Sequence, residues 1–433
     1  MENTLTLSLK QGLAEAATPL VEVGAQVKRG EVLASPSSKG VFLHASLGGR
    51  VKKVTPTALT LESEATEDTG FVPLPKTGDL VEQARLAGLV GMGGAGFPTW
   101  VKLASNLEGG TLIANAVECE PLLKHNTHQL ENDPDQVRRG LLLAIQATKA
   151  KRGVIAVKKK NRAALAALAG VIREKDPLEV FTLPDLYPVG EERALVREIL
   201  GILLPPDQLP LAAGAVVMNV ETLASLAAAW EDGKPVISKN LTMAGKLGGN
   251  PIQVFTAVPI GTSFQTLLDK AGGPKAPNGG LLAGGPFTGS YASEESTVSK
   301  TLGGICVTQD PLRENRPLGL LVCACSASEE RLRQLAASMG ARVTGVRRCQ
   351  QAVESRGGLK CENPGNCPGQ AAKILELRRE GAEALLIGNC SDCTNTVMCV
   401  APGLKMAVHH VTDNSLRAAG KPLVRRLPAL RQA

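Results

Sequence analysis

Between residues 17 and 54, short runs of alternating apolar and polar positions (Val21 and Val23, then Val41 and Leu43) are cut by Gly24, Gly30, Gly40 and Gly48. Period-two alternation broken by glycine turns predicts short strands, here a small β-sandwich within a first domain of residues 1–80. The period then lengthens. Compact apolar runs at 111–116, 154–157 and 178–183 predict strands, and helical spacing recurs at 134–150, 162–175, 191–200 and 221–230, with Asn161 placed to cap the second helix. Strands and helices alternating at these lengths predict an α/β sheet covered by helices over 81–235. In 241–268 two strands flank Gly248-Gly249-Asn250-Pro251, and Thr262 or Ser263 caps a following helix, a β-grasp-like unit within 236–290. The Gly/Pro-rich stretch 272–289 leads to a last α/β domain, 315–433, with buried strands at 318–324 and 384–387 and helices at 329–339 and 370–380.

Length agrees with this multidomain α/β reading, since 433 residues exceed one core and suggest two to four domains. The formal charge is +7, part of it in 149–162 and 417–431; such stretches are ordinarily solvated faces, with an anionic partner or membrane surface as the rarer alternative. Few aromatics (Phe 7, Trp 2, Tyr 2) argue against stacking platforms for nucleic acid. No apolar run reaches the ~18–20 residues a bilayer span needs, and the start lacks the basic and apolar regions of a signal peptide. The expectation is a cytoplasmic protein with no transmembrane segment, at most in peripheral membrane contact. Ten cysteines in a reducing compartment point to metal, cluster or thiol chemistry, and eight of them fall between Cys323 and Cys399.

Four motifs carry the candidate chemistry. Gly91-Met92-Gly93-Gly94-Ala95-Gly96-Phe97-Pro98 places four glycines in six residues, so backbone N–H groups can close on an anion; Pro98 suits a helix start, and Lys102 follows one turn on. It is neither a Walker A loop nor a Rossmann turn. Asn115-Ala116-Val117-Glu118-Cys119-Glu120-Pro121 follows a predicted strand, and its two acids at period-two spacing would point together into the crevice at the strand's C-terminal end. Tyr187-Pro188-Val189-Gly190-Glu191-Glu192 opens a helix with two more acids, and Asn219-Val220-Glu221-Thr222 opens another. Cys119, among the acids, reads as a small polar filler or as a redox neighbour.

In order and spacing these motifs resemble the flavin domain of the complex I flavoprotein subunit and, more closely, the RnfC subunit of the Rnf electron-transport complex, over roughly residues 10–310. The glycine-punctuated start looks like the barrel-sandwich hybrid of lipoyl and biotinyl carriers. Lys39 lies near a carrier-type turn without Met-Lys-Met or Asp-Lys-Ala around it, so a rigid packing module is expected. The resemblance implies FMN with NADH stacked on it, and an SLBB-like β-grasp unit. Gly91, Gly93, Gly94, Gly96 and Lys102 would cradle phosphates; Asn115, Asn219 and Thr222 would bond the ribityl-phosphate arm; Glu118, Glu120, Gly190, Glu191, Glu192 and Tyr187 would line the nicotinamide pocket. Met92 stands where the complex I subunit has arginine, which favours the RnfC branch, and Val117 where it has aspartate, which weakens flavin anchoring.

RnfC proteins continue into two Cys-x2-Cys-x2-Cys-x3-Cys-Pro runs, absent here. In their place stand Cys323-Ala-Cys325, Cys349, Cys361-x5-Cys367 and Cys390-x2-Cys393-x5-Cys399. Cys390 and Cys393, after a buried strand, suit a dithiol relay. Four of Cys349, Cys361, Cys367, Cys390, Cys393 and Cys399 could instead ligate an Fe–S cluster or zinc. Gly-Asn-Cys-Ser-Asp-Cys-Thr-Asn within this tail resembles electron-transfer proteins associated with bacterial D-proline reductase. The resemblance implies an NADH:acceptor oxidoreductase with a reductase as protein partner. The alternatives are an input subunit of a membrane electron-transport complex and a non-catalytic zinc-bound adaptor.

Overall fold

The computed structural model describes residues 3–36, 40–63, 70–355 and 358–425, so Lys39 and the end of the basic 417–431 stretch lie outside the described residues. The N-terminal strands make two small sheets, one ordered Asn3–Ser8, Ala58–Ser63, Gly49–Val54, Gln26–Val27 and the other Thr18–Pro19, Val32–Ser35, Leu43–His44. Leu5 faces Leu61 and Leu7 faces Leu59 across an antiparallel pair, and all four are buried, as period-two alternation requires for a one-sided core.

The central sheet is parallel, ordered Leu178–Leu183, Arg152–Lys158, Thr111–Asn115, Ala215–Asn219. Its inner strands carry continuous apolar runs because helices cover both faces. The chain steps outward from Thr111–Asn115 through two strands, then returns to the other side of its starting strand. The topological switch point therefore lies between Thr111–Asn115 and Ala215–Asn219, whose last residues, Asn115 and Asn219, are register partners. Ligands of open α/β sheets bind outside the strand ends at such a point.

Two helices end earlier than their spacing suggests, Pro134–Thr148 and Arg162–Val171. Asn161 does sit at the N-cap of the latter, but its side chain makes no capping bond; it donates to Thr127 Oγ1 at 3.2 Å. In the next unit Ser263, not Thr262, caps the helix Phe264–Lys270. The hairpin Ser238–Gly245/Ile252–Pro259 extends into a five-stranded sheet through Leu281–Ala283, Ser290–Ala292 and Gly304–Val307. That unit thus runs past the expected boundary at 290, because the pairing of Ser238–Gly245 with Gly304–Val307 is long-range and leaves no local pattern. The last domain is a parallel sheet ordered Val343–Arg348, Leu318–Val322, Ala384–Ile387, Ala407–His410, with a separate hairpin of Ala352–Ser355 and Gly358–Cys361. Among the described residues no helix is long and apolar enough to cross a membrane.

Candidate functional site

The glycine loop closes on itself. Gly91 N–H donates to Phe97 O at 2.9 Å and Val90 bridges to Pro98. The following helix, Thr99–Leu103, has five residues and begins after Pro98, which stands at the N-cap. One turn of helix has too little dipole to make the phosphate site expected there, so the loop backbone is the remaining anion binder. The N–H groups of Gly93, Gly94 and Ala95 are exposed and find no acceptor among the described residues. A Cβ at Gly93 would fall 2.2 Å from Asn219 Nδ2, whereas one at Gly94 would meet nothing within 4 Å. The loop is thus pressed against the switch point at one glycine and open at the next, an arrangement that fits a bound phosphate group.

Thr222 holds the loop from behind: its Oγ1 accepts from Met92 N–H at 2.9 Å. Asn219 caps the helix Val220–Glu231 by accepting from Glu221 N–H at 2.9 Å, and its Nδ2 donates to Asn126 Oδ1 at 3.1 Å. Asn115 reaches across the crevice and donates to Gly190 O at 2.9 Å. Gly190 is needed because a Cβ there would lie 2.7 Å from Cys119 Sγ. Lys102 is turned away from the loop, donating to Glu192 Oε1 and Val217 O, both at 2.8 Å. Its charge is paired with Glu192.

The two acids after the central strand do not point together. Regular strand ends at Asn115, so period-two geometry no longer governs Glu118 and Glu120. Glu118 accepts from Asn126 Nδ2 at 2.7 Å and lies 3.6 Å from His125 Nδ1; burial raises its pKa to about 7 against the pull of Asn126. Glu120 accepts from Phe287 N–H at 2.7 Å, Thr288 N–H at 2.8 Å and Thr288 Oγ1 at 2.7 Å, which ties the 284–289 segment to the turn after the central strand. Burial also raises its pKa. Cys119 Sγ accepts from Gly190 N–H at 2.9 Å, and burial pushes its thiol up to about 12, so it stays protonated. Glu191 caps the helix Glu192–Leu200 by accepting from Arg193 and Ala194 N–H, at 3.0 and 2.9 Å. Its expected pocket role is thus shared with a helix-capping one.

Tyr187 joins the two halves of the molecule. Its ring stacks on Phe287 with centroids 3.7 Å apart and planes at 2°, its hydroxyl donates to Cys325 O, and its N–H donates to Ser391 Oγ at 3.0 Å. Arg331 donates to Phe287 O and Pro286 O at 2.9 and 2.8 Å, while Arg193 reaches Cys361 O at 2.6 Å. No pattern in the sequence singled out Asn126, Phe287, Thr288, Arg331 or Arg193 as partners of these residues. Only the glycine-proline turn Gly284-Gly285-Pro286-Phe287-Thr288-Gly289 carried a local signal.

Behind Tyr187 and Phe287 seven thiols converge. Cys323 is hydrogen-bonded with the thiols of Cys325, Cys349 and Cys393, and Cys361 with that of Cys325. Cys393 also meets Cys367 and Cys390. The thiols of Cys325, Cys349 and Cys393 hold the Cys323 pKa well below the ordinary thiol value. Cys367, half-buried, is lowered to about 6, chiefly by the Cys393 thiol. Cys361, Cys367, Cys390 and Cys393 of the expected metal set are therefore brought together, and Cys399 is not. It is exposed on the helix Ser391–Val400, where six residues past Cys393 it faces away. A metal ion or Fe–S cluster is held by thiolates that converge on a common centre. These sulfurs close on one another, and no group of three or more His, Cys, Asp or Glu among the described residues is set to hold a metal ion. Seven converging thiols are nonetheless the donor chemistry an Fe–S cluster takes, so the expectation of a cluster in this part of the chain stands.

Residues 84–228 match the Nuo51 FMN-binding domain and residues 1–70 the RnfC barrel sandwich hybrid domain. The C component of the Na(+)-translocating ferredoxin:NAD(+) oxidoreductase complex of Acetobacterium woodii is 32% identical over 71% of this chain and 73% of its own length. The corresponding component of the ion-translocating oxidoreductase complex of Vibrio cholerae is 31% identical over 66% of this chain and 39% of its own. Cobalamin reductase PduS of Citrobacter freundii is 39% identical over 52% of this chain and 49% of its own, so the chain spans about half the length of that relative. With a barrel sandwich hybrid domain in front and the glycine loop and switch point inside a Nuo51-type FMN-binding domain, this chain belongs to the RnfC family.

Proposed function

We propose that the chain is an NADH-oxidising FMN flavoprotein that passes electrons through its cysteine-rich end to a reductase partner. The observation that carries this reading is the convergence of all four sequence motifs on the switch point, with the N–H groups of three exposed loop residues, Gly93, Gly94 and Ala95, left without an acceptor among the described residues. FMN, when bound, supplies the step no side chain here performs, accepting a hydride from a nicotinamide and releasing electrons onward. The chain's own residues bind and orient. Gly93, Gly94 and Ala95 N–H groups offer donors to a phosphate; Asn115, Asn219 and Thr222 brace the loop and the sheet edge around it. Glu118, next to Asn126, keeps a proton on its carboxyl into the neutral range and so admits an anionic dinucleotide beside it. The stacked Tyr187 and Phe287 exclude water between this pocket and the thiols.

The Gly-Asn-Cys-Ser-Asp-Cys-Thr-Asn tail supports D-proline reductase as the partner. A second reading, an electron-input subunit of a membrane ion-translocating complex, is favoured by the Acetobacterium woodii relative, of whose length the chain covers 73%. An anaerobic absorbance spectrum before and after NADH tests the common part: flavin bands that bleach support it. A colourless chain that cannot be reconstituted with FMN defeats it. Co-purification with a soluble reductase or with membranes then separates the two partners.

A further inference from the structure

We infer that Lys124, Lys158 and Lys160 form a second anion site beside the central strand, which takes the pyrophosphate of a nicotinamide dinucleotide while the glycine loop takes the phosphate of the flavin. The inference deepens the reading above and rests on it for the identity of the ligand. The central strand Thr111–Asn115 has one neighbour on each side, Ala215–Asn219 and Arg152–Lys158. The glycine loop presses on Asn219, at the end of the first. Lys158 ends the second, two residues past Ala156, the register partner of Asn115. Both neighbours run parallel to the central strand, so the loop and Lys158 stand at the same carboxyl edge of the sheet, on opposite sides of that strand. A flavin and a dinucleotide bound there bring two phosphate-bearing groups to this edge, and the fold offers a place for each.

The basic stretch 149–162 contributes two lysines to the second place, and Lys124 comes from the turn before the helix His125–Asn132. Lys158 Nζ donates to Asp185 Oδ1 at 2.8 Å, and Lys160 pairs with the other oxygen of the same carboxylate. Lys124 is half-buried, and its Nζ has no acceptor among the described residues. Burial, then Lys160 and Lys158, lowers its pKa. An ammonium drawn out of bulk water towards two others is costly until an anion joins it. Glu118, which also acts on Lys124, keeps its proton into the neutral range and does not supply that charge.

Lys124 and Lys160 border an open cavity of about 410 Å³, together with Arg162, Asn161, Thr127 and His128. That volume lies in the range of roughly 300–1,000 Å³ that holds small-molecule ligands. Asn161 Nδ2 donates to Thr127 Oγ1 at 3.2 Å and so ties the start of the helix Arg162–Val171 to that of His125–Asn132; neither helix has an acid in its first turn. Glu131, the acid on the cavity wall, is exposed. Three lysines against the Asp185 carboxylate leave two positive charges, which the two negative charges of a dinucleotide pyrophosphate match.

The test uses the full chain and calorimetric titration with ADP-ribose, which has the pyrophosphate but no nicotinamide and therefore binds without redox chemistry. Wild type should bind it, with an affinity that falls as salt is added. Lys124→Ala and Lys160→Ala should each weaken binding on the order of tenfold. Lys124→Arg should retain it, an outcome that a misfolded chain would not give. Lys151→Ala, an exposed lysine before the opposite end of the strand Arg152–Lys158, should leave the affinity unchanged and so separates the site from general charge. Equal affinity in wild type, Lys124→Ala and Lys160→Ala overturns the inference, as does a wild type that does not bind ADP-ribose. Inorganic pyrophosphate that binds through these lysines when ADP-ribose does not would mark a free phosphate ligand and overturn the dinucleotide assignment. Bleaching of bound flavin by NADH is read separately. Its absence, with ADP-ribose still bound through Lys124, would sink the flavin reading and leave the lysine site standing.

Discussion

At the residue scale the proposed nicotinamide pocket turns on Glu118. A carboxyl that is 11% exposed loses hydration when it ionises, and one Asn126 hydrogen bond does not make this good, so its pKa rises to about 7. Below that value Glu118 is neutral, and above it an anionic dinucleotide bound at the proposed site would meet a carboxylate. We therefore expect KM for NADH to rise on the order of fivefold as pH passes upward through about 7. Glu118→Gln keeps an acceptor for Asn126 and should hold KM low and flat from pH 6 to 8. Steady-state kinetics with ferricyanide as acceptor measures this, and a wild-type KM independent of pH would remove Glu118 from the site. The sequence marked Glu118 as a pocket acid. It could not mark Asn126, which reaches the site from a different element and obeys no spacing rule.

Among elements, the 284–289 segment shows how much one carboxylate can organise. Glu120 accepts two backbone N–H groups and one hydroxyl from it, while Arg331 holds the Phe287 and Pro286 carbonyls from the other side. Gly285 is required at this contact, since a Cβ would sit 2.3 Å from Glu120 Cδ. Glu120→Ala would orphan these donors, and we expect a loss of about 3 kcal/mol, seen as a lower melting temperature by calorimetry. Glu120→Gln, with one acceptor oxygen left, should lose about 1 kcal/mol. Equal melting points for wild type and Glu120→Ala would show that the segment is held by packing alone. Here the sequence misassigned a geometry: it read strand periodicity through residues 118–120, where the strand had already ended at Asn115.

Across the whole molecule the FMN-binding domain and the five-stranded sheet that follows it share a buried ion pair. Glu221 on the helix Val220–Glu231 meets Lys239 at the start of the hairpin and accepts from Asn240 N–H at 2.6 Å; the two side chains are 5% and 0% exposed. Breaking such a pair leaves an uncompensated charge, so Lys239→Met should cost about 3–5 kcal/mol, whereas Lys239→Met with Glu221→Leu should recover most of it. Paired thermal unfolding curves decide between this and independent domains, for which neither change would couple the transitions.

The strands of the parallel sheet and the glycine loop were legible in the sequence. Each of these is written locally, in apolar period, in glycine spacing and in residues adjacent along the chain. Which partners the side chains of those segments take was decided by the tertiary structure. Lys102 turns to Glu192, Glu120 is taken up by a segment more than 160 residues away, and Cys399 leaves the thiol cluster while Cys323 and Cys325 enter it. A side chain's partner is set by where distant elements dock. Burial, which fixes the protonation of Glu118, exists only once they have docked.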